Sequence, residues 1–123
     1  DEEYYCSLTA LIGDRKVEYA VVDPSAASFI ECIKRHGKIR VVRADNDVVK
    51  GIRKTSDALK SGRIKICKPC RDAIREFSLY RWDESVKYDA PRKENDHAMD
   101  DIRYFVMSLE NSADGFFAVS VER

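Results

Sequence analysis

The sequence predicts an α/β domain in which at least part of the sheet is parallel. Three observations support this class: short apolar runs rich in β-branched residues, segments with the apolar spacing of amphipathic helices, and a regular alternation of the two along the chain. With 123 residues the chain can bury one modest core, and we expect a single domain over residues 1–123.

The first third of the chain predicts a helix, a strand and a second helix. Residues 1–13 carry acids in the first turn and end on a glycine, as helices often do. The run "VEYAVV" predicts a buried strand over 17–22. An Asp-Pro-Ser turn at 23–25 follows, and Ser25 is expected to cap a helix over 26–36 that a glycine closes.

The middle of the chain continues this alternation. The run "KIRVVRAD" predicts a second strand over 38–45, and residues 47–60 predict a third helix. The run "RIKIC" predicts a third strand over 63–67. A helical segment over 69–82 is expected next, because its proline lies near the first turn, where a helix tolerates it.

The end of the chain predicts a loop, a helix and a tail. Residues 83–95 lack periodicity and include Pro91, so we expect a loop or a small hairpin there. The last helix is expected over 95–109, followed by a strand-forming or flexible tail over 110–123. The core-facing side of this last helix is expected to carry five apolar residues: Ala98, Ile102, Phe105, Val106 and Leu109.

Charge is distributed unevenly along the chain. Residues 34–75 hold 14 of the 22 Lys and Arg against 4 of the 22 Asp and Glu, a local net charge of +10 in a chain whose formal net charge is zero. Such a region suits an anionic partner such as nucleic acid, although solvated helix faces also carry charge. No apolar run approaches the ~20 residues of a membrane helix, and no signal-peptide pattern is present, so we expect an intracellular protein without a membrane partner.

The four cysteines offer one recognisable spacing. Cys67 and Cys70 form a C-x-x-C pair, which occurs in redox sites and in zinc knuckles. Zinc usually takes four ligands, and no second pair or histidine cluster lies at ligand spacing. Cys6 and Cys32 fall in predicted helices and have no partner close in sequence. Two reduced thiols at a strand-to-helix turn is the simpler interpretation, with a thiol or zinc module as the alternative.

Candidate metal ligands lie in two places. Asp23 directly follows the first predicted strand, and ligands of doubly wound sheets bind beyond the carboxyl ends of strands. The alternative role for Asp23 is to cap the helix after the turn. In "KENDHAMDDIRYF", residues 93–105, His97 and Asp100 are one turn apart on the same side of a helix, together with Asp101 and Tyr104.

The remaining acids of this segment, Glu94 and Asp96, are explained by the helix dipole alone. If Asp23 converges with His97 and Asp100, the result is an oxygen-rich site with one imidazole, which suits Mg²⁺ or Mn²⁺. Carboxylates beside a basic surface are what two-metal hydrolysis of a phosphodiester requires.

Four segments carry a resemblance to a known family: "VVDPSAASFIECIKRHG", "RADNDVVKGIRKTSDALKSGRIKI", "CRDAIREFSLYRWDE" and "KENDHAMDDIRYF". In order, and from residue 1 to about residue 107, the chain resembles the C-terminal nuclease domain of the phage terminase large subunit, the DNA-packaging motor of tailed bacteriophages and prophages. The resemblance implies an RNase H-like fold, a mixed sheet flanked by helices. It also implies a metal-dependent endonuclease that cuts concatemeric double-stranded DNA in the host cell cytoplasm, with the terminase small subunit and the portal protein as partners.

The resemblance assigns roles to individual residues. Asp23 matches the family's second metal carboxylate, Asp100 its late, helix-borne carboxylate and His97 the histidine one turn before. Mg²⁺ or Mn²⁺ is the implied cofactor. The loop at 83–92 corresponds to a hairpin near the DNA path. Lys93 matches the motif's leading lysine and is an expected DNA contact. Arg53 and Lys54, which lie in the basic region 34–75, are expected DNA contacts as well.

Two departures from the family pattern shape the expectation. The family's first metal aspartate and its β-meander should precede residue 1, so we expect an N-terminally truncated domain that is weak or inactive alone and self-associates through its open sheet edge. No G-x-x-x-x-G-K-[ST] phosphate loop is present. Asp101 stands where the family more often has a small or apolar residue, and its role is left open between metal binding and solvent exposure. The alternative function is a non-catalytic DNA-binding or packaging module.

Overall fold

A computed structural model describes residues 1–110 of the chain. They contain five helices and two short strands in the order α1, β1, α2, β2, α3, α4, α5. They fall into two compact units, Asp1–Asp45 and a second that starts at Asn46. The tail predicted over 110–123 lies, after Glu110, outside the described residues.

The first unit contains a parallel strand pair joined through a helix. Its elements are α1 (Glu2–Ile12), β1 (Ala20–Val22), α2 (Ala27–His36) and β2 (Val41–Arg43). The strands pair in parallel, with Ala20 opposite Val41. Parallel neighbours need a crossover connection, which α2 supplies. The strands are shorter than predicted, but the parallel pairing is confirmed and the architecture is compatible with the α/β class.

The core of the first unit lies on one side of α2. Ile30, Cys32 and Ile33 are completely buried. Cys32 and Ile33 form one cluster with Tyr5 of α1, and half-buried apolar residues pack against it: Leu8, Val22, Phe29, Ile39 and Val41. The helix ends as predicted, at Gly37. Its φ of 69° lies in the left-handed region, which glycine adopts readily because it has no Cβ atom.

The turn before α2 differs from the prediction. The helix begins at Ala27 with Ala26 in the N-cap position, and no side chain caps it. Asp23 organises the turn instead: its Oδ1 accepts the Ser25 N–H over 2.9 Å, and its carbonyl accepts the Ala26 N–H over 2.9 Å. The predicted Ser25 cap is wrong because the helix begins two residues after Ser25, with Ala26 in the N-cap position, while Asp23 closes the preceding turn as an Asx-turn.

The second unit contains three helices. They are α3 (Val48–Lys60), α4 (Arg71–Leu79) and α5 (His97–Glu110), and α5 packs against both of the others. Asp47 caps α3 by accepting the Lys50 N–H over 3.3 Å, as N-cap carboxylates do. All three helices were predicted from the sequence, with bounds that differ by a few residues.

The third predicted strand is not formed. Residues 63–67 have no strand conformation, and the sheet of the described residues contains β1 and β2 alone. Ile64 and Ile66 alternate with polar residues as in a strand. A strand also requires a neighbouring segment to pair its backbone N–H and C=O groups. The pattern therefore predicted side-chain alternation correctly and strand pairing wrongly.

The segment between α4 and α5 forms the predicted small hairpin. Trp82 and Pro91 face each other in an antiparallel bridge, and the Asp83 N–H donates to the Ala90 carbonyl over 2.7 Å. The Ser85 hydroxyl donates to Asp83 Oδ1 over 2.6 Å, and this hydrogen bond holds the pKa of Asp83 below its ordinary value. The turn is thus closed by both backbone and side chain.

The buried side of α5 is only partly the predicted one. Six of its residues are buried: Ala98, Met99, Arg103, Tyr104, Val106 and Met107. Ile102, Phe105 and Leu109, expected in the core, are half-buried. Because α5 contacts two helices, it buries a wider face than one apolar stripe, which accounts for the additional burial of four residues: Met99, Arg103, Tyr104 and Met107. No helix within residues 1–110 has both the length and the apolar character of a membrane span.

Candidate functional site

Asp23 lies directly after β1 and is half-buried. Its Oδ1 accepts the Ser25 N–H across the turn that leads into α2. This hydrogen bond and the following proline hold the carboxylate at the carboxyl end of the strand. The residue therefore occupies the place at which a ligand of an α/β sheet is expected. Its alternative role, as the cap of α2, is not observed, because Asp23 closes the preceding turn and no side chain caps the helix.

His97 and Asp100 lie one turn apart on α5. His97 is exposed and is the first residue of the helix, whereas the Asp100 side chain is 32% exposed. Residues at i and i+3 share one side of a helix. Within the described part of the second unit, no third His, Cys, Asp or Glu atom joins them in a cluster of metal-ligand size. Because Asp23 belongs to the first unit, the convergence of the three residues stays a prediction.

Asp100 is held by a buried arginine. Arg103 is 4% exposed, and its Nη2 donates to Asp100 Oδ1 over 3.1 Å. Its Nη1 donates to Asn46 Oδ1 over 3.0 Å, and the Tyr104 hydroxyl lies 3.5 Å from the same oxygen. A buried charge is tolerated when it is paired and hydrogen-bonded. The network fixes the direction of the Asp100 carboxylate.

A glycine on α3 makes room for this arginine. A Cβ atom at Gly51 would lie 2.4 Å from Cγ and 2.6 Å from Cδ of Arg103. Such distances are far inside van der Waals contact, so a larger residue would displace the arginine stem. The close approach of α3 and α5 at this point depends on the absence of a side chain.

The start of α5 is fixed by a carboxylate from α4. Glu76 is 3% exposed, and its Oε1 accepts the Ala98 N–H over 2.9 Å. The first N–H groups of a helix have no partner within the helix, and a negative charge there is favoured by the helix dipole. Glu76 thereby positions the turn on which His97 stands.

Tyr80 lies in the same acidic surroundings. Burial raises the pKa of its hydroxyl, and the negative charges of Asp100 and Asp96 raise it further, while Arg103 acts in the opposite direction. Tyr80 therefore stays a neutral hydroxyl near the Asp100 carboxylate.

Sequence reasoning missed the residues that support Asp100. Arg103 and Glu76 are charged, and charged residues in a helical pattern are normally read as solvent-facing. The available signal was periodicity: Arg103 lies four residues from both Met99 and Met107, on the buried side. Nothing in the pattern identifies Asn46, which is 57 residues from its partner.

The predicted DNA contacts all lie in the second unit. Lys93 precedes α5 and is exposed, and Arg53 is exposed on α3. Lys54 is less accessible, because its Nζ lies 3.9 Å from Glu110 Oε2. The structure thus presents Lys93 and Arg53 to solvent and holds Lys54 near an acid.

Cys67 and Cys70 lie in the turn before α4. The Cys70 N–H donates to the Cys67 carbonyl over 3.0 Å, and none of the four cysteines, all of which are described, forms a disulfide. No metal-sized cluster among residues 1–110 includes this pair. Both residues line a cleft of about 380 Å³ together with Asp101, Ile102 and Phe105. The arrangement agrees with two thiols at a turn.

A second group of potential ligands lies in the first unit. The ligand atoms of Glu2, Cys32 and His36 are all within 4.8 Å of one another. His36 Nε2 is 2.9 Å from Glu2 Oε2, and the Cys32 thiol lies 3.4 Å from Glu2 Oε1. Sequence reasoning overlooked this group, although Cys32 and His36 have the four-residue spacing that places two side chains on one face of a helix.

The environment of this group affects its titration. Burial raises the pKa of the Cys32 thiol. The hydrogen bond with His36, and next that with Cys32, hold the pKa of Glu2 below its ordinary value. The Tyr5 ring stacks on the His36 imidazole with 3.7 Å between centroids and 6° between planes. The imidazole is therefore held in one orientation beside a charged carboxylate.

Comparisons with known proteins identify similar structures. No protein-family model matches the chain, and no curated protein matches it. The ADP complex of the large terminase from a thermophilic bacteriophage matches 90% of the chain, with 40% identity and a TM-score of 0.85. A second crystal form of this terminase matches 89% of the chain at 41% identity and a TM-score of 0.85. Its complex with ATP-gamma-S matches 85% at 42% identity and a TM-score of 0.82.

The similarity covers most of this chain and a minor part of the terminase. The chain spans 29% of the terminase in the ADP complex and 28% in each of the other two structures. Sequence and fold are therefore both similar to one segment of a longer phage protein.

Proposed function

The chain resembles one segment of a phage large terminase in both sequence and fold, and from this premise we propose that it is part of a DNA-packaging terminase large subunit, within the nuclease domain. The observation that carries the proposal is 40% identity together with a TM-score of 0.85 over 90% of the chain. Both values exceed what a shared fold class alone requires. The motifs that carried the resemblance in the sequence support the nuclease domain in particular.

The proposed reaction is metal-dependent endonucleolytic cleavage of concatemeric double-stranded DNA by an RNase H-like domain. Asp23, Asp100 and His97 would hold the ions, since two carboxylates and one imidazole are donors that Mg²⁺ and Mn²⁺ accept. The donor set fits, because Asp23 is half-buried at the end of β1 and the Asp100 side chain is 32% exposed, so neither carboxylate is enclosed in the core. When bound, the ions supply an activated water and stabilise the leaving oxygen of the phosphodiester.

The chain's own residues supply positioning. Arg103 holds the Asp100 carboxylate from its buried side, and Glu76 holds the first turn of α5, where His97 stands. Side chains fixed before a ligand arrives need no reorganisation when it binds. The exposed cations Arg53 and Lys93 are the proposed contacts to backbone phosphates, which bind protein without regard to sequence.

The proposal extends to the context of the whole protein. The terminase small subunit and the portal protein are the proposed partners, and the host cell cytoplasm is the proposed place of action. Because the chain spans 29% of the similar terminase, packaging as a whole is an activity of the longer protein.

A non-catalytic DNA-binding or packaging module is the second candidate. It is favoured by the net charge of +10 over residues 34–75 and by the exposure of Arg53 within that region. Such a module would bind DNA with a steep dependence on salt and without need of a divalent cation. Metal dependence therefore separates the two candidates.

The deciding experiment measures DNA cleavage by the intact protein to which the chain belongs. Plasmid and linear double-stranded DNA are incubated with Mg²⁺ or Mn²⁺, and salt-dependent DNA binding is measured in parallel. We expect Asp100→Asn and Asp23→Asn each to abolish cleavage while DNA binding is retained. Asp57→Asn, an exposed carboxylate on α3, is the matched control and should leave cleavage unchanged.

Two outcomes would overturn the nuclease proposal. One is cleavage by the Asp100→Asn protein at the rate of the original protein. The other is the absence of cleavage with either cation while DNA binding is intact, and this result would favour the non-catalytic module.

A further inference from the structure

We propose that Glu2, Cys32 and His36 form a zinc-binding site that joins α1 to α2. This site is chemically distinct from the Mg²⁺ or Mn²⁺ chemistry of the proposed nuclease, and it does not depend on that proposal. It consists of one carboxylate from α1 and a thiol and an imidazole from α2.

The geometry of the three side chains carries the inference. Cys32 and His36 are four residues apart on α2, so they lie on one face, and Glu2 reaches both from the first turn of α1. All three ligand atoms lie within 4.8 Å of one another. Tetrahedral zinc with bonds of about 2.0–2.3 Å separates its ligand atoms by roughly 3.3–3.8 Å. The observed spacing therefore needs only small side-chain adjustments to accept the ion.

The kinds of ligand select the metal. Thiolate and imidazole are the donors that zinc takes most readily, and a carboxylate is a common third ligand. Mg²⁺ and Ca²⁺ prefer sites made of oxygen atoms, so a site with a cysteine disfavours them. Three protein ligands leave the fourth position to water, and the 62% exposure of the Glu2 side chain keeps the site open to solvent.

The surroundings orient two of the ligands. Cys32 is completely buried, so its sulfur has little freedom to turn away. The stacked Tyr5 ring holds the imidazole plane of His36, as ring-orienting neighbours do in metal sites. Binding of the ion forms the Zn–S bond as the Cys32 thiol releases its proton to solvent, so the site gains the two positive charges of the ion and loses the one of the proton.

Two features favour a simpler hydrogen-bonded group. Glu2 and His36 already form a close pair at 2.9 Å, and Arg35 Nη2 lies 3.8 Å from Glu2 Oε1, where its charge opposes a cation. The Arg35 side chain is 68% exposed, however, and an exposed arginine can leave a carboxylate at little cost. The alternative is thus a group held by hydrogen bonds alone, and metal titration separates it from the zinc site.

The test is a titration of the 123-residue chain with Zn²⁺ by calorimetry and with Co²⁺ by absorption spectroscopy. A Cys67→Ser/Cys70→Ser double variant serves as the starting protein, so that the C-x-x-C pair cannot contribute. We expect one equivalent of Zn²⁺ to bind, a thiolate-to-cobalt charge-transfer band to appear with Co²⁺, and Zn²⁺ to displace the cobalt.

Glu2→Gln and His36→Gln are the deciding variants, because neither side chain is buried and their loss does not open the core. Each should weaken Zn²⁺ binding by at least about 100-fold, since even residues behind the metal ligands cost about 10- to 100-fold when mutated. Cys32→Ser should remove the charge-transfer band, and circular dichroism checks that this variant still folds. Cys6→Ser, on the same helix as Glu2, should bind as the starting protein does.

Two results would overturn the site. One is the absence of a cobalt–thiolate band in the starting protein, which would leave the hydrogen-bonded group as the correct description. The other is equal Zn²⁺ affinity in the starting protein and in Glu2→Gln, which would place any bound ion elsewhere. A rise in the thermal unfolding midpoint with Zn²⁺ in the starting protein, lost in Glu2→Gln, would support a link between α1 and α2.

Discussion

Arg103 Nη2 lies 3.1 Å from Asp100 Oδ1, one turn earlier on α5, and the arginine side chain is 5% exposed. The same guanidinium donates to Asn46, which precedes α3. A cation so placed is both a structural element of the three-helix unit and the support of a proposed metal carboxylate. Changes around it should therefore affect stability and cleavage together.

Replacement of the arginine by an apolar residue should destabilise the protein. Arg103→Met is expected to lower the free energy of unfolding by about 1–3 kcal/mol, because it leaves Asp100 and Asn46 without their donor. The loss should be smaller than the ~3–5 kcal/mol of a fully buried pair, since the Asp100 side chain is 32% exposed. Urea denaturation measures it. Combination with Asp100→Asn should give less than the sum of the single effects, and strict additivity would contradict the ion pair.

Gly51→Ala should destabilise the protein although alanine is the better helix former. The new methyl group would lie 2.4 Å from Cγ of Arg103. Overpacking of this kind costs about 1–3 kcal/mol, which outweighs the ~1 kcal/mol gained in helix propensity. Asp57→Ala, exposed on the same helix, is the control for propensity. In an Arg103→Ala background, Gly51→Ala should no longer lower the free energy of unfolding. An equal loss of stability in that background would show that the contact with Arg103 is not the cause.

Loss of the Glu76 carboxylate should weaken the start of α5. Glu76→Ala removes the acceptor of the Ala98 N–H, a hydrogen bond to a charged group, and should cost about 1.5–3 kcal/mol of unfolding free energy. Glu76→Gln keeps an oxygen acceptor and should lose only the interaction of the charge with the helix dipole, about 0.3–1 kcal/mol. Amide hydrogen exchange at Ala98 should accelerate in the alanine variant. Unchanged exchange would contradict the cap.

The hairpin between α4 and α5 should loosen in acid. The hydrogen bond from Ser85 lowers the pKa of Asp83. The carboxylate therefore stabilises the turn fully at pH values above its ordinary pKa of 3.8, and this stabilisation is lost as the pH falls through the lowered pKa. An NMR titration of the Asp83 carboxyl in Ser85→Ala should give a pKa closer to 3.8 than in the original protein. An identical titration curve in both proteins would show that Ser85 is not the cause.

Helix ends were predictable because single residues determine them. Gly13 and Gly37 end α1 and α2 with φ values of 57° and 69°, which residues with a Cβ rarely adopt. The strand at 63–67 could not be judged in this way, because pairing depends on a partner that alternation does not reveal. The parallel pairing of β1 with β2 followed from the helix between them, which is itself a local signal.

The positions of the candidate site residues were predictable, whereas their role as metal ligands stays a prediction. Asp23, His97 and Asp100 were identified from their chemistry and local position, which a sequence displays directly. Arg103 was not, since its role depends on Gly51 on one neighbouring helix and on Asn46 far away in the chain. Tertiary packing determines which residues distant in sequence become hydrogen-bond partners and which charged side chains are buried.

The small size of Gly51 has a consequence for the orientation of α5 about its own axis. The stem of Arg103 fills the space beside Gly51. Successive residues of a helix are about 100° apart around its axis, so α5 would have to rotate to place a different side chain in that space. Asp100 and His97 would then face another direction, although neither had been altered. The direction in which the proposed metal ligands of α5 point thus depends on a glycine of a different helix, a residue that has no functional group of its own.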